Sequence, residues 1–286
     1  MTSSVGLPAM FSHIPPPVVF PAITEHKSTV IIVHGLGDSG NGYAPIVQNW
    51  QNNGLFQDTK FILPSAPAIP VTSTGGRSMP AWFDIRGERG PHVTFDALTA
   101  QAQDDAGLLR SRDYFLSLIK AEVDGSSSSS SSSKSSSSSS SPPIPASQVI
   151  MGGFSQGGVM TLLTAVSAEA GGLGGAFCLS GYLALADDVR AGEARGFPHA
   201  RRAAGGGAGG GGDGMEVLMV HGDKDPIMNL EWAQKSAGVV KELGYDVDLK
   251  IVPGLGHSIN QDVLAKVTSF IKHVQEKGRK GQHDEL

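Results

Sequence analysis

Six short runs rich in Val, Ile, Leu, Phe and Met limit what this chain can fold into: residues 29–33, 60–63, 148–151, 175–179, 215–220 and 247–252. Several are apolar at nearly every position, the pattern of strands covered on both faces, as in a parallel sheet. Segments with helical spacing fall between them. Residues 98–123 place Leu108, Leu109, Phe115, Leu116 and Ile119 near that spacing, and 156–170, 229–243 and 261–274 read alike. Strand alternating with helix predicts an α/β fold, a mostly parallel doubly wound sheet with helices on both faces. Ligands of such sheets collect at the carboxyl ends of the strands, so the loops there should carry the chemistry.

The 286 residues carry 22 basic and 27 acidic side chains, a net charge of −5 that disfavours a nucleic-acid partner. No stretch approaches the roughly 18 uninterrupted apolar residues of a membrane span. The single cysteine, Cys178, has no partner for an intramolecular disulfide. Residues 1–26 read as a proline-rich lead-in lacking the basic and apolar regions of a secretory signal, which points to the cytoplasm. Residues 27–275 read as one domain, interrupted at 125–145, where 15 serines cluster, and at 203–214, which is mostly glycine and alanine. Both stretches offer almost nothing to bury and are expected to be disordered loops; a phosphorylated switch is the sharper reading of the serines. Residues 276–286 read as a charged tail.

Directly after the run at 148–151 comes Gly152-Gly153-Phe154-Ser155-Gln156-Gly157-Gly158, in which residues 153–157 form a G-x-S-x-G pattern between a strand and a helix. The turn is sharp enough to need small residues on either side, and it lifts Ser155 to a helix N-terminus where N–H groups meet developing negative charge. A serine hydroxyl needs a base, and histidine titrates near working pH. His257 sits in a glycine loop after the run at 247–252, whereas His34 and His221 each stand in a His-Gly step and are expected to serve as turn hydrogen bonders. A buried carboxylate must hold the imidazole in one tautomer. Asp223 and Asp225 compete; Asp225 is the candidate, with Asp223 bracing the turn. The chain order Ser155, Asp225, His257 is that of the α/β-hydrolase fold. The second oxyanion donor of that fold comes from an early strand-to-helix loop, which makes the N–H groups of Leu36 and Gln156 the expected pair, with Asp38 stabilising the loop.

These residues, together with His34-Gly35-Leu36-Gly37-Asp38, Pro64-Ser65-Ala66-Pro67, Met79-Pro80-Ala81-Trp82-Phe83-Asp84-Ile85 and Gly256-His257-Ser258, resemble the acyl-protein thioesterase/lysophospholipase group of small carboxylesterases across residues 28–274. The resemblance implies hydrolysis of the thioester between a long-chain acyl group, typically palmitoyl, and protein cysteine. It implies S-acylated G-protein α or Ras-like substrates, a transient membrane encounter, weak lysophospholipase activity, no metal or organic cofactor, and residence in cytoplasm and nucleus. A homodimer is compatible with it. Apolar side chains suited to an acyl groove are Leu36, Met79, Trp82, Phe83 and Leu183. A general carboxylesterase and a non-catalytic binding protein on the same scaffold are the alternatives. The chain departs from the group in its two low-complexity stretches, in Gly181-Tyr182 and in its tail. That tail ends His283-Asp284-Glu285-Leu286, spelled like an ER-retrieval signal; a working signal would place the protein in the ER lumen instead.

Overall fold

The computed structural model describes residues 8–90, 92–125, 143–167, 173–192, 197 and 215–284. Residues 126–142 of the serine-rich stretch, all of 203–214 and the last two residues lie outside them.

The elements run β1 (Val18–Phe20), β2 (Ser28–Val33), α1 (Ala44–Asn52), β3 (Thr59–Leu63), β4 (Ala68–Val71), β5 (Arg77–Pro80), α2 (Phe95–Ala100), α3 (Asp105–Val123), β6 (Val149–Phe154), α4 (Gln156–Ala165), β7 (Gly175–Leu179), α5 (Ala186–Ala191), β8 (Glu216–Gly222), α6 (Leu230–Glu242), β9 (Asp246–Val252) and α7 (Gln261–Asp284). The main sheet has the order β1-β3-β2-β6-β7-β8-β9, parallel except for β1. Each of the six expected strands is present: β7 has the expected bounds, β2, β3 and β9 begin one residue earlier, and β6 and β8 begin one residue later and run on by three and two residues.

Period-two alternation divides the core between the two faces of the sheet. Ile31 and Val33 of β2, Met151 of β6 and Met219 of β8 point toward α3, α4 and α6. Their chain neighbours Val30, Ile32, Ile150 and Val220 point toward Val47 and Trp50 of α1 and Val263, Val267 and Ile271 of α7. Helices therefore cover both faces, as expected.

Three readings need correction. The lead-in is part of the domain: β1 pairs antiparallel with β3, Val19 opposite Ile62, and Phe11 is buried with its ring 5.5 Å from that of Tyr114. An edge strand exposes one row of backbone groups and so tolerates the prolines that flank it. At the other end, the charged tail continues α7, where Lys277 reaches Glu216 and Arg279 reaches Asp58, each at 2.7 Å. The helix expected over 98–123 is two helices. Asp104 breaks it by capping Gly107 N–H while also accepting the Asp84 N–H and the Arg86 guanidinium.

Candidate active site

Strand β6 lies at the centre of the sheet, and its last turn delivers Ser155 with φ 56° and ψ −120° as the N-cap of α4. A positive φ at a non-glycine residue is strained and must be held from outside. Here Ser155 N–H donates to Leu179 O at 2.8 Å, fastening the turn to β7. The glycines have steric reasons. A methyl group on Gly157 would overlap Val33 O, and one on Gly153 would overlap the carbonyl of Gly157. The serine itself is buried.

Two further loops, from the ends of β8 and β9, meet it. His257 Nε2 lies 2.9 Å from Ser155 Oγ, and His257 Nδ1 lies 2.7 Å from Asp225 Oδ2. An ionised carboxylate only accepts, so Nδ1 carries the proton and donates to Asp225, leaving the Nε2 lone pair for the serine hydroxyl. The Asp225 side chain is fully buried, and its Oδ1 accepts the N–H groups of Ile227 and Met228, each at 2.9 Å. Burial alone would raise this carboxyl; the hydrogen bonds from His257, Met228 and Ile227, with the proximity of the imidazole, outweigh it and hold the group below its ordinary range. Asp223 does separate work, accepting Gly254 N–H at 2.6 Å and so tying the His257 loop to the β8 loop.

His34 and His221 are held as turn residues. His34 Nδ1 donates to Gly35 O at 2.6 Å while Nε2 accepts Ala66 N–H at 2.9 Å. His221 Nε2 donates to Met228 O at 2.9 Å, beneath the segment that binds Asp225. Burial depresses both imidazoles and keeps them neutral.

The loop after β2 approaches from the opposite side. A methyl on Gly35 would stand only 3.2 Å from Ser155 Cβ, so glycine lets this backbone close on the nucleophile. Gly37, at φ 80°, donates to Pro80 O at 2.8 Å. Asp38 accepts Ser39 N–H at 2.7 Å, the expected bracing role. Leu36 and Gln156 both border the space in front of Ser155. The Gln156 N–H belongs to the first turn of α4 and has no intrahelical acceptor. Sequence reasoning assigned Gln156 only a backbone role, but its buried side chain also clasps the tryptophan segment: Oε1 accepts Trp82 N–H and Nε2 donates to Phe83 O, both at 2.8 Å.

A cavity of about 390 Å³ opens on Ser155 and His257. Leu36 and Phe83 line it, but Met79, Trp82 and Leu183 do not. Trp82 is 1% exposed, donates Nε1–H to His34 O at 3.0 Å and packs on Tyr114 and Phe115; it is core. Leu183 is fully buried, its N–H bonded to Ser236 Oγ, and Met79 lies on β5 outside the cavity. The wall comes instead from Ile85, Arg89, Phe154, Tyr182, Ile227 and Met228. Phe154, Ile227 and Met228 stand within three residues of catalytic candidates and Ile85 closes the tryptophan-containing block, so these could have been inferred; nothing in the sequence singles out Arg89. A larger cleft of about 530 Å³ between β8, β9 and α7 is lined by charged side chains such as Glu216, Asp248 and Lys266 and contains none of the site residues.

This fold and this geometry define an α/β hydrolase of the serine-esterase type, an enzyme of acyl-group hydrolysis. The chain belongs to the phospholipase/carboxylesterase family, whose model matches residues 15–196 and 211–275. It is 36% identical over 259 residues to acyl-protein thioesterase 1 of Emericella nidulans, an alignment covering 90% of this chain and 95% of the relative. It is 38% identical over 260 residues to acyl-protein thioesterase 1 of Gibberella zeae, covering 90% and 94%. Among solved structures it resembles Arabidopsis thaliana SOBER1, with a TM-score of 0.65 and 25% identity over 87% of this chain and 99% of that one. Acyl-protein thioesterase 2 of Zea mays, at 22% identity over 91% of this chain and 98% of that one, shares the fold with a TM-score of 0.68.

Proposed function

We propose that this chain hydrolyses the thioester joining a long-chain acyl group to protein cysteine, with Ser155 as nucleophile, His257 as base and Asp225 as its orienting acid. The observation that carries the assignment is the 2.9 Å contact between His257 Nε2 and Ser155 Oγ at the mouth of a largely apolar cavity. Ser155 attacks the acyl carbonyl as His257 takes its proton. The N–H groups of Leu36 and Gln156 receive the oxyanion, a type of contact worth about 10²–10³ in rate for each donor. The imidazolium, stabilised by Asp225, then protonates the departing thiolate. Water attacks the acyl-serine with His257 again as base, and the fatty acid leaves. Each buried methylene of an acyl chain contributes about 0.8 kcal/mol, so an apolar wall selects acyl groups without a specific polar contact.

The proposed substrates are S-acylated proteins of the G-protein α or Ras-like kind, met transiently at a membrane surface in the cytoplasm or nucleus by a monomer or homodimer. The ER lumen becomes the compartment if the C-terminal tetrapeptide acts as a retrieval signal. The test is release of thiol from a palmitoyl-cysteine peptide by the wild type and by Ser155→Ala. Ser155→Ala should retain the wild-type melting temperature and lose turnover to near the uncatalysed rate; hydrolysis persisting in that variant refutes the assignment.

A further inference from the structure

Arg89 brings a positive charge to the cavity wall, beside the nucleophile and among mainly apolar neighbours. Its guanidinium carbon lies 5.7 Å from the centre of the Tyr182 ring and 5.9 Å from that of Trp232. Nη2 donates to Tyr182 Oη at 3.2 Å, and Nη1 makes a long contact with Glu88 O at 3.4 Å. The platform is fixed: Tyr182 and Trp232 are buried, stand edge to face at 5.5 Å, and Trp232 Nε1 donates to Val93 O at 2.7 Å. No carboxylate lies within ion-pair distance of Arg89 among the described residues. The one carboxylate lining the cavity, Asp38, sits on the exposed loop after β2 and is occupied with Ser39 N–H.

A guanidinium has five N–H donors, of which these contacts use two. Lying over aromatic rings, it keeps its N–H edge available in a fixed plane, the geometry that suits an oxyanion. An unpaired cation in a half-buried, largely apolar cleft is costly unless a ligand supplies the opposite charge. We propose that Arg89 is a specificity-determining residue that receives an oxyanion, a carboxylate or phosphate, carried by the substrate near its scissile acyl bond. The proposal rests on the hydrolase reading of the site and adds a charge preference to it.

The oxyanion can belong to the acyl chain or to the leaving group, and the two sources separate experimentally. One arm compares hexanoyl-N-acetylcysteamine with the adipoyl half-thioester of the same thiol. The other compares hexanoyl-N-acetylcysteamine with the hexanoyl thioester of 3-mercaptopropionate. Released thiol is read with a chromogenic disulfide in wild type, Arg89→Met and Arg89→Lys. The wild type should favour the anionic probe in one arm by about tenfold in kcat/KM, the size expected of a charge-assisted contact. That ratio should fall to near one in Arg89→Met and be partly retained in Arg89→Lys. Wild-type turnover of all three probes with no anionic preference in either arm overturns the proposal alone, and this holds even if Arg89→Met does not fold. A preference that survives intact in Arg89→Met overturns it equally. Absence of hydrolysis of any probe by the wild type overturns the hydrolase reading and this proposal with it.

Discussion

Replacing Gln156 by Leu separates the two roles of that residue. The backbone N–H at 156 is kept, while both hydrogen bonds of the side chain, to Trp82 N–H and Phe83 O, are lost. Trp82 and Phe83 are 1% and 3% exposed, so water does not readily replace the missing partners. A buried backbone group stripped of its partner costs about 1–3 kcal/mol, and two such groups give a loss of about 2–6 kcal/mol. In a chain of this size each kcal/mol moves the melting temperature by roughly 2–4 °C, so the variant should melt at least about 4 °C lower. The cavity wall at Phe83 should shift as well, raising KM for long-chain substrates more than it lowers kcat. Calorimetry and steady-state kinetics on an acyl series read the two effects. Gln156→Glu sharpens the test: at neutral pH its carboxylate faces the Phe83 carbonyl, acceptor against acceptor, whereas protonation in acid restores a donor. Its deficit in melting temperature relative to wild type should therefore shrink below about pH 5. A Gln156→Leu protein melting within 1 °C of wild type would refute the claim that this side chain holds the tryptophan segment to the elbow.

Asp225→Asn should lower kcat by about 10⁴ with the fold retained, because an amide turned toward Nδ1 favours the imidazole tautomer that cannot accept the serine proton; kinetics beside a thermal melt check it. Trp82→Ala should cost about 3–5 kcal/mol of stability by opening a cavity against Tyr114 and Phe115, read by denaturant titration; a change confined to acyl-length preference would contradict its place in the core. His34 and His221, 0% and 1% exposed, are held neutral by burial, so their folded pKa values lie below the ordinary 6.5. The unfolded chain takes up protons there first, so their stability contribution is present above about pH 6.5 and is lost as pH falls. The slope approaches about 1.4 kcal/mol per pH unit for each imidazole. Melting curves from pH 7.5 to 5 should fall accordingly, and a His34→Gln variant should fall less steeply.

The chemistry was legible in the sequence because it depends on local backbone. Ser155 and Asp225 follow strands with nearly continuous apolar runs, His257 follows the alternating Val247–Val252 run, and each sits in a glycine or proline turn that admits few conformations. The missed elements lacked such signals. Strand β1 is three residues long and follows Pro15-Pro16-Pro17, and β4 and β5 contain Pro70 and Pro80, which demote a run in any reading by pattern. Asp104 could have been read as an N-cap, but the apolar spacing over 98–123 runs straight through it.

The cavity wall was illegible for a different reason. Trp82 and Phe83 are adjacent large aromatics, yet one is core and the other lines the cavity, and no property of either side chain decides which. What decides it is where the segment is tied: the Trp82 N–H and the Phe83 carbonyl to the Gln156 side chain, and the Trp82 indole N–H to His34 O, across 48 to 74 residues of chain. The same logic holds for Arg89, whose orientation is set by Tyr182 from the end of β7, 93 residues away. In this protein the reacting groups are positioned by the strands that precede them, whereas the surfaces that choose the substrate are positioned by contacts between distant loops. Substitutions in Gln156, Tyr182 or Trp232 should therefore alter selectivity while the distances within Ser155, His257 and Asp225 stay as they are. Crystal structures of such variants would read that separation directly, and a displaced His257 in any of them would show that the two layers are coupled.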